Sequence, residues 1–153
     1  MTVLKDPRGR SYLPIARDDL LRLARLARDD RRSFFAHSRG WSEAYRDRVL
    51  CVALCQGAAL HFVDGRTGIN DFDVYTFYAR NPSKRWCDRR RQPVDFGHAK
   101  FGRSEVSPPQ FVGRRVDLMG RTLPVAAGSD PVVALRRYLA AQRSDTARLL
   151  AEK

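Results

Sequence analysis

The stretch 50–77, LCVALCQGAALHFVDGRTGINDFDVYTF, holds the clearest structural signals in the chain. It begins inside a continuous apolar run, Val49 to Cys55, which has the length of a strand and the composition of one buried on both faces. A turn at Gly57 and a short helix-like segment, 58–63, follow. A second apolar strand then covers 71–78. The stretch therefore predicts two strands of a helix-covered sheet, joined by a turn and a short helix.

The second strand carries two carboxylates on one face. Asp71 and Asp73 are two residues apart, so both point to the same side of the strand, together with Tyr75 and Phe77. Aspartate has poor strand propensity, and like charges this close are costly unless a cation lies between them. A metal ion is the usual reason, which indicates phosphate chemistry. The alternative is an edge strand whose first residues trail out of the turn at Asn70.

The turn between the two strands suits a phosphate group. Gly57 has no side chain, so its backbone permits close approach by a ligand. The helix-like segment that follows would present its first backbone N–H groups to whatever occupies the turn, and such helix starts bind anions. The order strand, glycine turn and helix therefore predicts a phosphate site beside the two carboxylates.

The remaining chain predicts one domain, 1–153, of ordinary size for a folded core. An arm at 1–14 precedes a helix at 18–35, whose apolar positions include Leu20, Leu23, Ala24 and Ala27, and a short helix follows at 42–48. The core sheet covers 49–123, and a later strand contains the acid Asp117. A closing helix, 130–151, begins at Ser129, Asp130 and Pro131. It is expected to bury apolar residues: Val132, Leu135, Leu139, Leu149 and Leu150.

The charge is strongly positive, with a formal net charge of +12 and a pI near 10.6. Only four of the 29 basic residues are lysines, and arginine's planar fork suits phosphate, so nucleotide or nucleic-acid partners are expected. The alternative explanation for the positive charge is that arginine has accumulated at surface positions without a binding role. The basic stretch 81–92 surrounds Trp86, which either stacks on a base or packs back into the core.

The three cysteines and the apolar pattern bear on the compartment. Cys51, Cys55 and Cys87 favour reduced, buried thiols in a cytoplasmic protein, and a zinc site built from them with a histidine is the alternative. No apolar segment has the length of about 20 residues that a membrane span needs. The N-terminus has no secretion-signal pattern. We therefore expect no membrane association.

Taken together, these motifs resemble the DNA polymerase beta-like nucleotidyltransferase superfamily. The resemblance rests on Gly57-Ala58, on Asp71-Phe72-Asp73-Val74 after twelve intervening residues, and on the distant Val116-Asp117-Leu118, and it covers about 49–118. The family pattern is a strand ending in Gly-Ser or Gly-Gly, a short helix, a strand bearing two acids, and a later strand bearing a third. Asp117 fits the third acid best, and Asp95 is its rival.

The resemblance implies a fold and a chemistry. The fold would be α+β, a small mixed sheet with helices packed on one side. Asp71, Asp73 and Asp117 would be catalytic and would bind Mg²⁺ (or Mn²⁺), which also holds the triphosphate of a nucleoside triphosphate. Gly57 and Ala58 would contact the nucleotide. Lys84 and Arg85 are further candidates for nucleotide binding, because their charge would neutralise phosphate.

The chain departs from the family at position 58, which is Ala where the family often has Ser. A hydroxyl contact to phosphate is therefore missing, although backbone amides remain. No second domain for a large acceptor is evident. Two functions are expected from this pattern. One is an enzyme that transfers a nucleoside monophosphate to a hydroxyl of an unidentified acceptor, which could be a small molecule, a protein or RNA. The other is a non-catalytic basic module that binds nucleotides or nucleic acid.

Overall fold

The computed structural model describes residue 6, residues 9–87 and residues 90–141. Within these ranges the chain forms four helices and four strands. In chain order they are α1 Arg17–Ala36, α2 Arg39–Tyr45, β1 Val49–Cys55, α3 Gln56–Asp64, β2 Phe72–Ala79, β3 Arg91–Asp95, β4 Arg115–Leu123 and α4 Pro131–Ala141.

The strands form one mixed sheet in the order β1-β2-β4-β3. Strand β1 runs antiparallel to β2, β2 runs parallel to β4, and β4 runs antiparallel to β3. The structure is therefore α+β with a small mixed sheet, as predicted. Strand β2 lies inside the sheet, so the alternative of an acid-bearing edge strand is wrong.

Helices cover both faces of the sheet. On one face, Leu23 and Ala27 of α1 pack in a core cluster with Phe72 and Val74 of β2. On the other face, Ala134 of α4 packs in a cluster with Phe77 and Leu123, and Tyr75, Leu135 and Tyr138 pack against this cluster. The expectation of helices on one side only is wrong. The acid-bearing face becomes apolar beyond Asp73, and that apolar part needs its own cover.

The two edge strands differ from the sequence-based expectations. Strand β1 has the predicted bounds, but as an edge strand it is only half-buried apart from Cys55, so burial on both faces is wrong. Strand β3 was not predicted, because it is short, partly exposed and interrupted by Pro93. Proline cannot donate to a ladder and is tolerated at a sheet edge, where β3 lies.

The helices begin close to the positions that the sequence indicates. Helix α1 buries Leu23 and Ala27, whereas Ala24 is exposed. Helix α2 begins after Ser38, three residues earlier than predicted. The N–H of Val133 in α4 donates to Asp130 Oδ1 at 3.0 Å, which caps the helix as expected.

Two predictions for the C-terminal helix have different outcomes. Leu139 is buried, but Val132 is 57% exposed, so its predicted burial is wrong. Val132 is the second residue of α4 and lies in its first turn. Leu149 and Leu150, with the predicted helix end at 151, lie outside the described residues. The arm at 1–14 is described at residue 6 and over 9–14, where Ser11 forms a bridge to Ile69.

The Trp86 side chain packs back into the core. It is 4% exposed and stacks on Tyr78 with ring centroids 4.5 Å apart, while Tyr45 meets it edge-on at 5.0 Å. The base-stacking alternative for this residue is therefore wrong. The aromatic cluster lies at the Tyr78 end of β2. In the described part of the chain, no helix has both the length and the apolar character needed to cross a bilayer.

Candidate metal centre

Three carboxylates meet at the start of β2. The parallel register places Asp73 of β2 directly beside Asp117 of β4, and Asp71 lies just before β2 on the same face. One carboxylate oxygen from each residue lies within 4.8 Å of the other two. Parallel pairing explains this convergence, because equivalent residues on neighbouring parallel strands share a face. The structure therefore brings together the three acids predicted as metal ligands.

Asp95, the rival third acid, has a different role. Its carboxylate accepts hydrogen bonds from the backbone N–H groups of Gly97 at 2.9 Å, Val112 at 2.8 Å and Gly113 at 3.0 Å. Partial burial opposes ionisation, but these three donors hold the pKa of Asp95 below its usual value. Asp95 thus closes the loop that leads into β4. Among the described residues, the acidic group that could hold a metal contains Asp117 instead.

The cluster is electrostatically unfavourable when all three acids are ionised. Burial, followed by the charges of Asp71 and Asp117, raises the pKa of Asp73 to about 7. Burial also raises the pKa of Asp71, and the charge of Asp117 and a hydrogen bond with it act in the same direction. Like charges in a partly dry site favour the protonated form unless a cation is added. The arrangement therefore favours binding of either protons or a cation.

Two arginines that the sequence reasoning missed contact the third acid. Arg91 Nη2 lies 2.9 Å from Asp117 Oδ2, and Arg115 Nε lies 2.8 Å from Oδ1. The Asp117 side chain is fully buried, so these pairs supply its compensating charge. Arg115 could have been found from its two-residue spacing on the same strand. Arg91 could not, because its place depends on the register of the unpredicted β3.

A third missed arginine fixes the segment that carries Asp71. Arg114 is 2% exposed, and its guanidinium donates to the carbonyl groups of Ile69 at 2.5 Å and Asn70 at 3.3 Å. It also donates to carbonyls of two other segments, at Gly9, Phe101 and Arg103. Burial lowers the pKa of this guanidinium. Arg114 therefore ties the turn before Asp71 to the start of β4.

The predicted phosphate turn lies next to the acids. Cys55, the last residue of β1, pairs with Asp73, and α3 begins at the next residue. The positive φ of 56° belongs to Gln56, which the sequence reasoning did not single out. A Cβ placed on Gly57 would meet no atom of the described residues within 4 Å, so Gly57 faces open space in this part of the chain. Ala58 is 2% exposed and belongs to the apolar core.

The two basic candidates from the 81–92 stretch lie elsewhere. Lys84 Nζ lies 4.4 Å from the ring centroid of Trp41, and the Lys84 carbonyl accepts a hydrogen bond from Tyr45. This loop packs at the Tyr78 end of β2, five residues past Asp73, which is roughly 17 Å along a strand. Arg85 is exposed in the same loop. The structure does not bring either residue to the acids.

The cysteines do not form a metal site in the described residues. The group of potential metal ligands found among the described residues contains no cysteine. Cys55 is buried, and Cys51 and Cys87 are half-buried. Burial, followed by the charge of Asp73, raises the pKa of Cys55 to about 12, which makes it an unreactive thiol at neutral pH. The zinc alternative therefore receives no support from the structure.

No protein-family model matches the chain, and no curated protein or solved structure compared with it gives a significant match.

Proposed function

We propose that this chain is a metal-dependent nucleotidyltransferase, which transfers a nucleoside monophosphate from a nucleoside triphosphate to a hydroxyl group of an acceptor. The observation that carries the proposal is the convergence of Asp71, Asp73 and Asp117 within 4.8 Å, on neighbouring parallel strands and beside an open glycine turn. The resemblance of these motifs to the DNA polymerase beta-like superfamily supports the same reading.

The residues present fit a divalent metal ion. All three candidate ligands are carboxylates, which are the hard oxygen donors that Mg²⁺ and Mn²⁺ prefer. Burial and then the two neighbouring acids raise the pKa of Asp73, and a bound cation would offset both effects. Asp71 and Asp73 would be the principal ligands, and Asp117 would complete the site. When bound, the metal would neutralise charge on the phosphate oxygens and on the attacking and leaving oxygens.

The other residues would position the nucleotide. The backbone N–H groups at the start of α3, near Gly57, have no partner within the helix and would bind phosphate oxygens. Their dipoles would favour the negative charge of a phosphate. Asp117 would orient the acceptor hydroxyl and help to remove its proton. Since Ala58 has no hydroxyl, nucleotide binding here would depend on backbone amides and arginine.

A second candidate function is a non-catalytic basic module that binds nucleotides or nucleic acid. One observation favours it: both oxygens of Asp117 already accept charge-assisted hydrogen bonds from Arg91 and Arg115. Such a module would bind nucleic acid through phosphate contacts, and its affinity would fall steeply as salt rises. Nucleic-acid binding that is independent of divalent metal would favour this candidate over the enzyme.

The test is titration calorimetry of Mn²⁺ with each of the four nucleoside triphosphates. The enzyme proposal expects nucleotide binding that requires the metal and that Asp73→Asn abolishes. The matched control is Asp47→Asn, because the Asp47 side chain is 89% exposed and the same charge is removed away from the cluster. Absence of metal-dependent binding with all four nucleotides would refute the proposal. Where binding occurs, release of pyrophosphate on addition of acceptor candidates separates the enzyme from the module.

A further inference from the structure

Arg91 holds an unusual position at the acid cluster. It is the first residue of the edge strand β3, and its side chain is 55% exposed although its guanidinium contacts the fully buried Asp117. Arg115, the other partner of Asp117, is 28% exposed and lies two residues away on the same strand. Of the two arginines, Arg91 therefore has more freedom to leave Asp117, because more of its side chain is exposed to solvent and because β4 is the one described strand that pairs with β3.

The ion pair of Arg91 competes with metal binding. Asp117 Oδ1 is held by Arg115 and Oδ2 by Arg91, at 2.8 and 2.9 Å. A metal ion that used an Asp117 oxygen would have to displace one of these cations, and it would repel both. The half-exposed Arg91 can leave at smaller cost than Arg115, since its charge can be solvated as it moves.

Once displaced from Asp117, the Arg91 guanidinium would lie near the phosphates of a nucleotide bound at the metal site. Its planar fork pairs with phosphate oxygens in the same two-point manner as with a carboxylate. The polyphosphate of a nucleotide bound near Gly57 would bring new negative charge to a site whose carboxylates are then satisfied by metal. Arg91 would thus be paired with Asp117 in the metal-free protein and with phosphate when metal and nucleotide are bound.

We infer that Arg91 is a phosphate-binding residue that exchanges Asp117 for the polyphosphate of the nucleotide when metal binds. This inference rests on the proposed function. It adds that metal and nucleotide bind cooperatively, because the nucleotide stabilises the displaced arginine that the metal alone leaves unpaired. Coupling of this kind is reciprocal, so each ligand tightens the binding of the other by the same factor.

Removal of the Arg91 charge should have opposite effects on the two ligands. In Arg91→Gln, Mn²⁺ alone should bind about tenfold more tightly, because Asp117 Oδ2 is released and a repelling charge is gone. Nucleotide binding at saturating Mn²⁺ should weaken about tenfold, because a phosphate contact is lost. Arg91→Lys retains the charge without the fork, and should fall between the wild type and Arg91→Gln for both ligands.

The experiment is calorimetry of the 153-residue chain with Mn²⁺ alone and with each nucleoside triphosphate at saturating Mn²⁺. Arg39→Gln is the control, because it removes the same charge from an exposed 2.8 Å pair with Glu43, and it should leave both affinities unchanged. If wild-type protein shows no metal-dependent nucleotide binding, the proposed function fails and this inference with it. If wild-type binding is present but Arg91→Gln leaves nucleotide affinity unchanged, or does not tighten Mn²⁺ alone, only the inference is overturned.

Discussion

Replacing Asp73 with Asn should stabilise the metal-free protein at neutral and alkaline pH. In the folded state the pKa of Asp73 rises from 3.8 to about 7, first through burial and then through Asp71 and Asp117. A raised carboxyl pKa means that the folded state binds the proton more tightly than the unfolded state. The cost of ionising Asp73 is therefore absent below about pH 4, grows as pH rises, and is complete above about pH 7.

The size of this cost follows from the shift in pKa. About three pKa units correspond to about 4 kcal/mol, and screening by solvent at the open side of the cluster reduces this to about 2 kcal/mol. Asparagine has the shape of the carboxyl group without its charge, and its amide can donate to a neighbouring carboxylate. At pH 8, Asp73→Asn should therefore be about 2 kcal/mol more stable than the wild type, while metal binding is lost.

The assay is urea denaturation of both proteins in EDTA at pH 5, 6, 7 and 8. Comparing them at each pH cancels the titration of other groups, and the difference in unfolding free energy should grow by about 1 kcal/mol from pH 5 to pH 8. Asp47→Asn should give a difference near zero throughout. An Asp73→Asn protein less stable than the wild type at pH 8, or a difference that does not change with pH, would refute the electrostatic argument.

Three further predictions concern residues outside the cluster. Trp86→Ala should destabilise the fold by about 3–5 kcal/mol in urea denaturation, because the ring is buried against Tyr78; a loss below about 1 kcal/mol would contradict its place in the core. Asp95→Ala should cost about 1–3 kcal/mol by the same assay, since it leaves three backbone N–H groups without their acceptor, and Mn²⁺ affinity should stay within about twofold. Lys84→Ala should leave nucleotide affinity in calorimetry unchanged, since Lys84 packs on Trp41; a tenfold loss would restore it to the site.

Much of the sheet could be predicted from local patterns. The apolar run of β1 and the Asp-x-Asp strand β2 carry strong signals, because side-chain alternation and residue type both indicate strands. Strand β3 does not, since Pro93 and exposed polar residues resemble a loop. It is a strand because the edge of β4 offers partners for its backbone, and that is a tertiary effect.

The same contrast applies to the site. Asp71 and Asp73 could be identified from their spacing alone, whereas Asp117 was preferred over its rival Asp95 only through the family resemblance. The third acid is the one that lies in register with Asp73 on a neighbouring strand. Its identity therefore depends on the order of the strands in the sheet. The basic partners were sought in the stretch with the most charge, around Lys84. Two arginines, Arg91 of β3 and Arg115 of β4, lie beside the acids. They are 24 positions apart in sequence and are brought together by the pairing of β3 with β4.

The parallel pairing of β2 with β4 also has a consequence for folding order. The β1–β2 pair joins segments that are close in sequence, but Asp73 and Asp117 meet only after β4 has docked beside β2. A contact across such a separation forms late, since closing a long loop carries an entropic cost that few early contacts offset. A chain released before residue 117 would have two of the three acids and no site. The time at which Mn²⁺ binding appears during refolding would therefore report when β4 has joined the sheet.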